Sequence, residues 1–428
     1  MSNERKLPIS RTGRLARLAG VGARAGFEKL AGFLGKRGSE DSLAQAAADA
    51  LGTMRGLALK LGQMASYVDG LVPQEHRELY QRTMRGLREA AATMSADAAR
   101  QVVIGEFGRP PEELFSEWSP TPFASASIGQ VHRARLQDGK QVAVKVQYEG
   151  IARAVAADLT NSELLGTFLG PLGAKLGLKD QLGEMRARFE EELDYLHEAA
   201  SQRAFASLFS SDERIRVPAV IDRFTTRLVL TTELVFGRDF EEACSSTEAE
   251  RRAWAETLWR FVFSSLLGPG FFNADPHPGN YIFGKRGIVW FLDFGCTRTL
   301  NPKTTEHVRR CHRSILARDE ERFYRDAHEL LGIPEGIEQA RYMREYFRLC
   351  FEPMLASGPY KITHGYAAKL LDDLRARAKI QIIGSKKEFR PLPAELLFLN
   401  RLQLGFYSVL ARLDVAVDYR ALHGGILA

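Results

Sequence analysis

The sequence predicts an α+β fold of two lobes: a helical N-terminal extension, a small β-rich N-lobe and a larger, mostly helical C-lobe. Three observations predict it. Two alternating stretches, Ile128–Leu136 and Gln141–Gln147, flank Asp138-Gly139, and an Asp-Gly pair between alternating stretches is a β-hairpin signature. Helical periodicity dominates before and after this hairpin. The length of 428 residues, 45% hydrophobic and 26% charged, suffices for one large bilobal domain or two to three modest ones. That composition excludes collagen-like, coiled-coil and wholly disordered chains.

The elements follow in order. Residues 1–40 form a basic arm. Up to position 38 it holds nine basic residues against Glu4 and Glu28, a charge of +7, whereas the whole chain carries +6. The rest is therefore close to neutral, which argues against nucleic acid as a partner. The arm reads as a weakly amphipathic helix for an anionic membrane surface, where each basic residue contributes about 1 kcal/mol. The competing reading is a packed terminal extension, since Gly20, Gly22, Gly26 and Gly32 weaken a helix. Residues 41–107 form a helical extension, with Leu51, Met54, Leu57, Leu61 and Met64 at helical spacing and a break at Pro73. Residues 108–235 form the N-lobe, entered through a proline-rich linker at 108–122 and carrying inserted helices over 151–209. Two further strands, Arg216–Asp222 and Arg227–Glu233, are expected there. Residues 236–428 form the helical C-lobe, interrupted by a loop and two short strands at 273–293.

Cys244, Cys296, Cys311 and Cys350 are widely spaced with no CxxC pair, which suits a reducing compartment better than a disulfide framework or a zinc site. No apolar run reaches the roughly 18 residues of a spanning helix. Arg14, Arg17 and Arg24 interrupt any signal peptide. The expectation is a cytoplasmic protein without a transmembrane helix, held peripherally on the inner face of the cell membrane by its arm.

Three groups carry chemistry. Lys145 lies on the second hairpin strand in Val142-Ala-Val-Lys145. Asp275 and Asn280 lie in Asn273-Ala-Asp-Pro-His-Pro-Gly-Asn280. Asp293 opens Asp293-Phe-Gly295 after the apolar strand Ile288–Leu292. Phosphoryl transfer from a nucleotide needs this set in this order: a lysine on the phosphates, an aspartate that orients the attacking group, and an asparagine and second aspartate for the metal ions. Alone, each fragment is weak, because Asp-Phe-Gly is a common turn and a strand lysine is usually solvated. Together they point to a protein-kinase-like fold that uses ATP (or ADP) and Mg²⁺. The helix around Arg188–Glu198 offers the carboxylate that kinases pair with the strand lysine. Phe189, Leu193, Leu196 and Ala200 are expected on its buried face, with Asp194 and Glu198 as i,i+4 neighbours on another. Glu198 is the candidate partner of Lys145. His277 reads as structural in its Pro-His-Pro loop.

Some kinase features are missing. Where a glycine-rich loop should cover the phosphates stands Phe123-Ala-Ser-Ala-Ser-Ile-Gly-Gln130, whose methyl groups limit close backbone approach. Asn273-Ala274 replaces the usual His-Arg, and no Ala-Pro-Glu segment or activation loop precedes the helix expected near Pro302. A platform for a protein substrate is therefore not expected.

Over roughly residues 45–300 the sequence resembles the AarF/UbiB family of atypical kinases. Lys60-Leu-Gly62-Gln63 matches that family's KxGQ motif, Glu192-Leu-Asp194 its ExD motif, and Ala124, Ser125, Ala126, Ser127, Ile128, Gly129 and Gln130 its Ala-rich nucleotide loop. The resemblance implies that the KxGQ helix folds over the active site, with Lys60 and Gln63 meeting Glu192 and Asp194, and occludes the space of a protein substrate. It implies ATP binding or hydrolysis in the synthesis or distribution of ubiquinone or other isoprenoid lipids, with proteins of that pathway as partners. Many bacterial members end in membrane helices. Here Leu396–Leu413 is interrupted by Asn400, Arg401, Gln403 and Arg412 and reads as a packed amphipathic helix. Two alternatives stand beside this reading: a small-molecule phosphotransferase of the aminoglycoside or choline kinase type, and a nucleotide-gated lipid-binding scaffold without turnover.

Overall fold

The computed structural model describes residues 94–126, 128–152, 193–333, 338–383 and 394–427. The described chain forms two compact units. One holds the residues up to Leu196 together with Ile221–Thr231, and the other holds His197–Val220 and everything from Thr232 onward.

The first unit is built on the predicted hairpin. It opens with α1 (Ala96–Phe107), whose N-terminus is capped by Ser95 Oγ, which accepts from Ala98 N at 3.2 Å. Gly108 ends this helix at φ 68°, a conformation glycine adopts without strain. The stretch expected as a linker is instead packed structure: α2 (Pro111–Leu114) and β1 (Glu117–Trp118). Pro111 sits in the first helical turn, where its missing N–H costs nothing, and Leu114 and Phe115 enter the core. β2 (Ala124–Ser125), β3 (Gly129–Arg135) and β4 (Gln141–Gln147) follow, with β3 and β4 antiparallel around Gly139 at φ 86°. Val142, Val144 and Val146 are fully buried against Ala99 and Val103 of α1, each such side chain contributing about 1.5–3 kcal/mol.

After α3 (Tyr195–Leu208) and β5 (Ile215–Arg216), β6 (Val229–Glu233) joins the sheet beside β4, giving the order β1-β3-β4-β6 with β2 on β3. Two expectations are corrected here. The strand Arg216–Asp222 does not form: β5 ends at Arg216 and pairs in parallel with a C-lobe strand. Pro218 has no N–H for a ladder, and only the isolated bridge Val220–Thr232 remains. The buried face of α3 also differs. Leu196 is 47% exposed and Ala200 is exposed, whereas Tyr195, Glu198, Ala199, Gln202 and Phe205 are buried. The helix begins only at Tyr195, and Asp194 stands before it, with Oδ1 accepting from Leu196 N at 2.9 Å. The buried positions therefore follow i, i+3, i+4, i+7 from Tyr195, and the polar ones have partners, as Gln202 Nε2 donates to Pro218 O.

The second unit is helical around a large aromatic core. α4 (Phe240–Cys244) and α5 (Glu248–Leu267) both start with capping boxes, Asp239 with Glu242 and Thr247 with Glu250, which satisfy the helix-end donors. α5 runs through the centre with Trp254, Leu258, Trp259 and Leu267 buried. The two short strands expected within 273–293 are β8 (Tyr281–Phe283) and β9 (Val289–Phe291), and two more flank them, β7 (Phe271–Asn273) before and β10 (Thr297–Thr299) after. β8 and β9 form the expected hairpin and β7 pairs with β10. α6 (Pro302–Leu316) begins at an Asn301 cap, directly after β10, so the chain has no room for an activation loop between Gly295 and Pro302. The longer helices that follow are α7 (Glu320–Leu331), α8 (Glu338–Cys350), α9 (His364–Ile383), α10 (Ala394–Leu413) and α11 (Tyr419–Leu427). The amphipathic reading of Leu396–Leu413 holds: Leu402, Phe406, Tyr407, Leu410 and Leu413 of α10 are buried. All four cysteines are free thiols.

Candidate catalytic and metal-binding loops

Asn273, the last residue of β7, organises the catalytic loop. Its Oδ1 accepts from Asp275 N at 3.0 Å and its Nδ2 donates to Asp293 O at 2.6 Å. Ala274 N donates to Cys296 O at 2.8 Å. The loop and the Asp293-Phe-Gly295 turn are thereby fastened to each other just before Asp275. Within the loop, His277 N donates to Asp275 O at 2.8 Å and Asn280 N to His277 O at 2.9 Å. His277 Nδ1 accepts from Gly279 N at 3.0 Å, the structural role expected of it. Pro276 and Pro278 fix φ on either side, so six residues close into one rigid turn.

This turn aims Asn280. Its Nδ2 donates to Asp275 O at 3.2 Å, which leaves Oδ1 as the amide atom able to ligate a cation. Leu292 N donates to Asn280 O at 3.0 Å, bringing the second loop alongside. Asp293 Oδ1 accepts from Gly295 N at 2.9 Å, which fixes the carboxylate at the mouth of the turn. An amide oxygen and a carboxylate are hard donors of the kind Mg²⁺ takes, and Mg²⁺ commonly completes its shell with water and substrate phosphates. Among the described residues no cluster of three or more His, Cys, Asp or Glu could hold a metal by itself.

Asp275 is enclosed, with 17% of its side chain exposed, and Arg401 Nη2 stands 3.6 Å from its Oδ1. Burial, and then the Asp275 charge, push the hydroxyl of neighbouring Tyr281 well above its ordinary pKa, so it stays protonated. Helix α3 is fixed to the same turn. Phe294 is fully buried 5.0 Å from the Phe205 ring, and Ser201 Oγ lies 2.9 Å from Thr297 Oγ1. A Cβ on Gly295 would stand 3.6 Å from Glu198 Oε2, so the Glu198 carboxylate borders the Asp293-Phe-Gly295 turn.

In the first unit, Lys145 pairs across the hairpin with Val131, and its Nζ stands 4.9 Å from the centre of the Tyr195 ring. The Ala-rich loop divides in two. Ala124 and Ser125 are exposed and Ala126 is half-buried, while Ile128, Gly129 and Gln130 are buried. Ala126 N donates to Gly129 O at 2.8 Å, closing the turn. A Cβ on Gly129 would come within 2.5 Å of Val146 O and 2.6 Å of Tyr195 Oη, so this glycine serves close packing. Gln130 Nε2 donates to Met94 O at 3.3 Å and lies 3.0 Å from His132 Nε2. His132 Nδ1 in turn lies 2.9 Å from Ser119 O, and burial lowers the imidazole pKa. Lys60, Gly62, Gln63, Ser127 and Glu192 lie outside the described residues.

A family model described as the ABC1 atypical kinase-like domain matches residues 86–327. The chain belongs to this family. The atypical kinase COQ8B, mitochondrial, of Rattus norvegicus is 31% identical over 98% of this chain and 81% of its own length. The atypical kinase coq-8, mitochondrial, of Caenorhabditis elegans is 29% identical over 97% of this chain but only 57% of its own length. A solved structure, the complex of Rv3197 with erythromycin from Mycobacterium tuberculosis, matches with a TM-score of 0.63 and 27% identity over 96% of this chain and 97% of that one. The chain is thus an enzyme of the atypical kinase class with an α+β, kinase-like fold. Among the described residues, no helix is long and apolar enough to cross a membrane.

Two residues of this candidate site were not singled out by the sequence: Asn273 was legible only as the place of a missing His-Arg, and Arg401 only as an interruption in an apolar helix.

Proposed function

We propose that this chain is a UbiB-type atypical kinase or ATPase that binds MgATP and serves the synthesis or distribution of ubiquinone or another isoprenoid lipid, without general protein-kinase activity. The observation that carries the reading is the network through Asn273, which braces Asp275, Asn280 and Asp293 in one piece of the second unit. Catalysis of phosphoryl transfer is mostly positioning and charge stabilisation, and this network provides positioning.

In this reading Asp275 orients the attacking hydroxyl or water. Asn280 Oδ1 and the Asp293 carboxylate would hold Mg²⁺, whose charge would offset that of the nucleotide phosphates. Lys145 and the Ala124–Gln130 loop hold the nucleotide, and Glu198 is the helix carboxylate of the set. Lys60, Gly62 and Gln63, with Glu192 and Asp194, close the protein-substrate space. The division into segments 1–40, 41–107, 108–235 and 236–428 belongs to the same proposal. So does peripheral attachment of the basic arm to an anionic membrane surface on the cytoplasmic side, near proteins of the isoprenoid-lipid pathway. The short passage from Gly295 to α6 supports the absence of a protein-substrate platform.

The test is Mg²⁺-dependent ATP hydrolysis by the purified protein, with and without anionic liposomes, and with Asp293→Asn as control. Expected are turnover that rises with liposomes and loss of turnover in the variant. Surviving activity in Asp293→Asn refutes the metal assignment. A second reading, a nucleotide-gated scaffold for a bulky apolar ligand, draws on the erythromycin complex of the solved relative. Tight MgATP binding without hydrolysis under either condition favours it.

A further inference from the structure

The segment Asp275-Pro-His-Pro-Gly-Asn280 contains no lysine or arginine, so the loop brings no cation of its own to its aspartate. Asp275 Oδ1 is buried and accepts no hydrogen bond among the described residues. An enclosed carboxylate in that position is costly unless a cation stands by it. Arg401 is that cation, with Nη2 3.6 Å from Oδ1 and only 20% of its side chain exposed.

The helix that carries Arg401 is held so that the guanidinium cannot wander. Next to it, Leu402 is buried, and Phe406 and Tyr407 stand 6.0 and 6.2 Å from the Trp259 ring. Three other polar residues of this apolar helix have partners elsewhere. Asn400 Oδ1 accepts from Tyr346 Oη at 3.3 Å, Gln403 Nε2 donates to Cys350 O at 2.8 Å, and Arg412 pairs with Glu241. Arg401 faces the Asp275 loop instead. Arginine suits the task because its planar fork addresses a carboxylate with more than one N–H and keeps its charge.

We propose that Arg401 is a positioning residue for Asp275. It supplies from α10 the positive charge that the loop lacks, and it holds the carboxylate where it can orient the attacking group. The proposal rests on the assignment of Asp275 made above. It makes the far C-terminal helix part of the catalytic apparatus, although nothing in the local motif calls for it.

The experiment compares steady-state ATP hydrolysis by the full-length wild type, Arg401→Gln, Arg401→Lys, Asp275→Asn and the double variant Arg401→Gln/Asp275→Asn, with thermal melts of each. Misplacing a catalytic group by about 1 Å costs on the order of 100-fold, so Arg401→Gln should lower kcat by about 10- to 100-fold. Its KM for ATP should stay within about threefold of wild type, since Arg401 is assigned to orientation and not to ground-state binding. Arg401→Lys should recover part of the loss. The double variant should be no slower than Asp275→Asn alone, because Arg401 acts through Asp275. Should Arg401→Gln fail to fold, Arg401→Met, which keeps the apolar stem, takes its place. Wild-type kcat in a folded, uncharged variant overturns the proposal, as does a double variant whose loss is the product of the single losses. Wild-type activity in Asp275→Asn overturns the reading beneath it instead.

Discussion

Acidification should unlock the C-lobe core through a pair of buried histidines. Trp259 Nε1 donates to His423 Nδ1 at 3.3 Å, and His423 Nε2 lies 2.8 Å from His312 Nδ1. With Trp259 as donor, neutral His423 carries its proton on Nε2 and gives that hydrogen bond to His312. Both rings are buried, and burial lowers both pKa values, that of His423 to about 3, while His312 is depressed further by the His423 charge. The native state therefore binds fewer protons than the unfolded chain below the ordinary histidine pKa of about 6.5. Stability from this pair is present in full above that value and is lost as pH falls through it toward the folded pKa. Between pH 7 and pH 5, one histidine with unfolded and folded pKa values of about 6.5 and about 3 costs about 2 kcal/mol. Urea unfolding followed by tryptophan emission at the two pH values measures the loss. His423→Gln keeps an acceptor for Trp259 and a donor for His312 but does not titrate. It should lose about 2 kcal/mol less than wild type over this interval. Identical losses in the two proteins would refute the reasoning.

Three further outcomes are expected. Asn273→Ala removes the side-chain tether to Asp293 O and the brace on Asp275 N, so kcat for ATP hydrolysis should fall by about tenfold or more while the melting temperature drops by only a few degrees. An unchanged kcat would show that the loops hold their geometry without it. Gly129→Ala places a methyl against Val146 O, a backbone atom that cannot move aside, and should cost about 1–3 kcal/mol in denaturant unfolding; a neutral variant would contradict the close packing described. Cys311, whose thiol burial pushes up to about 12, should resist alkylation by iodoacetamide at pH 8 in the native protein, and its modification at the rate of an exposed thiol would contradict its burial.

Much of the site was legible because its chemistry is local. Asp275, Asn280 and Asp293 lie within one loop and one hairpin, so their order and spacing already define what the backbone can bring together, and β8 and β9 supply the return. Lys145 was placed on its strand by alternation alone, since Val142, Val144 and Val146 could only be the buried set. Local signals failed where partners were distant. The face of α3 was misjudged because leucine outweighed glutamate in the periodicity, yet the buried position belongs to Glu198, beside Gly295. The proline-rich stretch at 108–122 passed for a linker because prolines mark boundaries without saying whether the residues between them pack, and Leu114 and Phe115 do.

The sequence alone determined the α+β class, the hairpin with its buried valine face, the candidate catalytic and metal-binding motifs and the family they resemble. Each of these depends on spacings of a few residues, which covalent geometry and side-chain periodicity constrain strongly. Only the tertiary structure decided that Asn273 joins the two loops, that Glu198 borders the Asp293-Phe-Gly295 turn, and that Arg401 stands beside Asp275. Those relations depend on how helices and loops distant in sequence pack together, and hydrophobic burial, being non-directional, specifies that arrangement only once the whole core has closed.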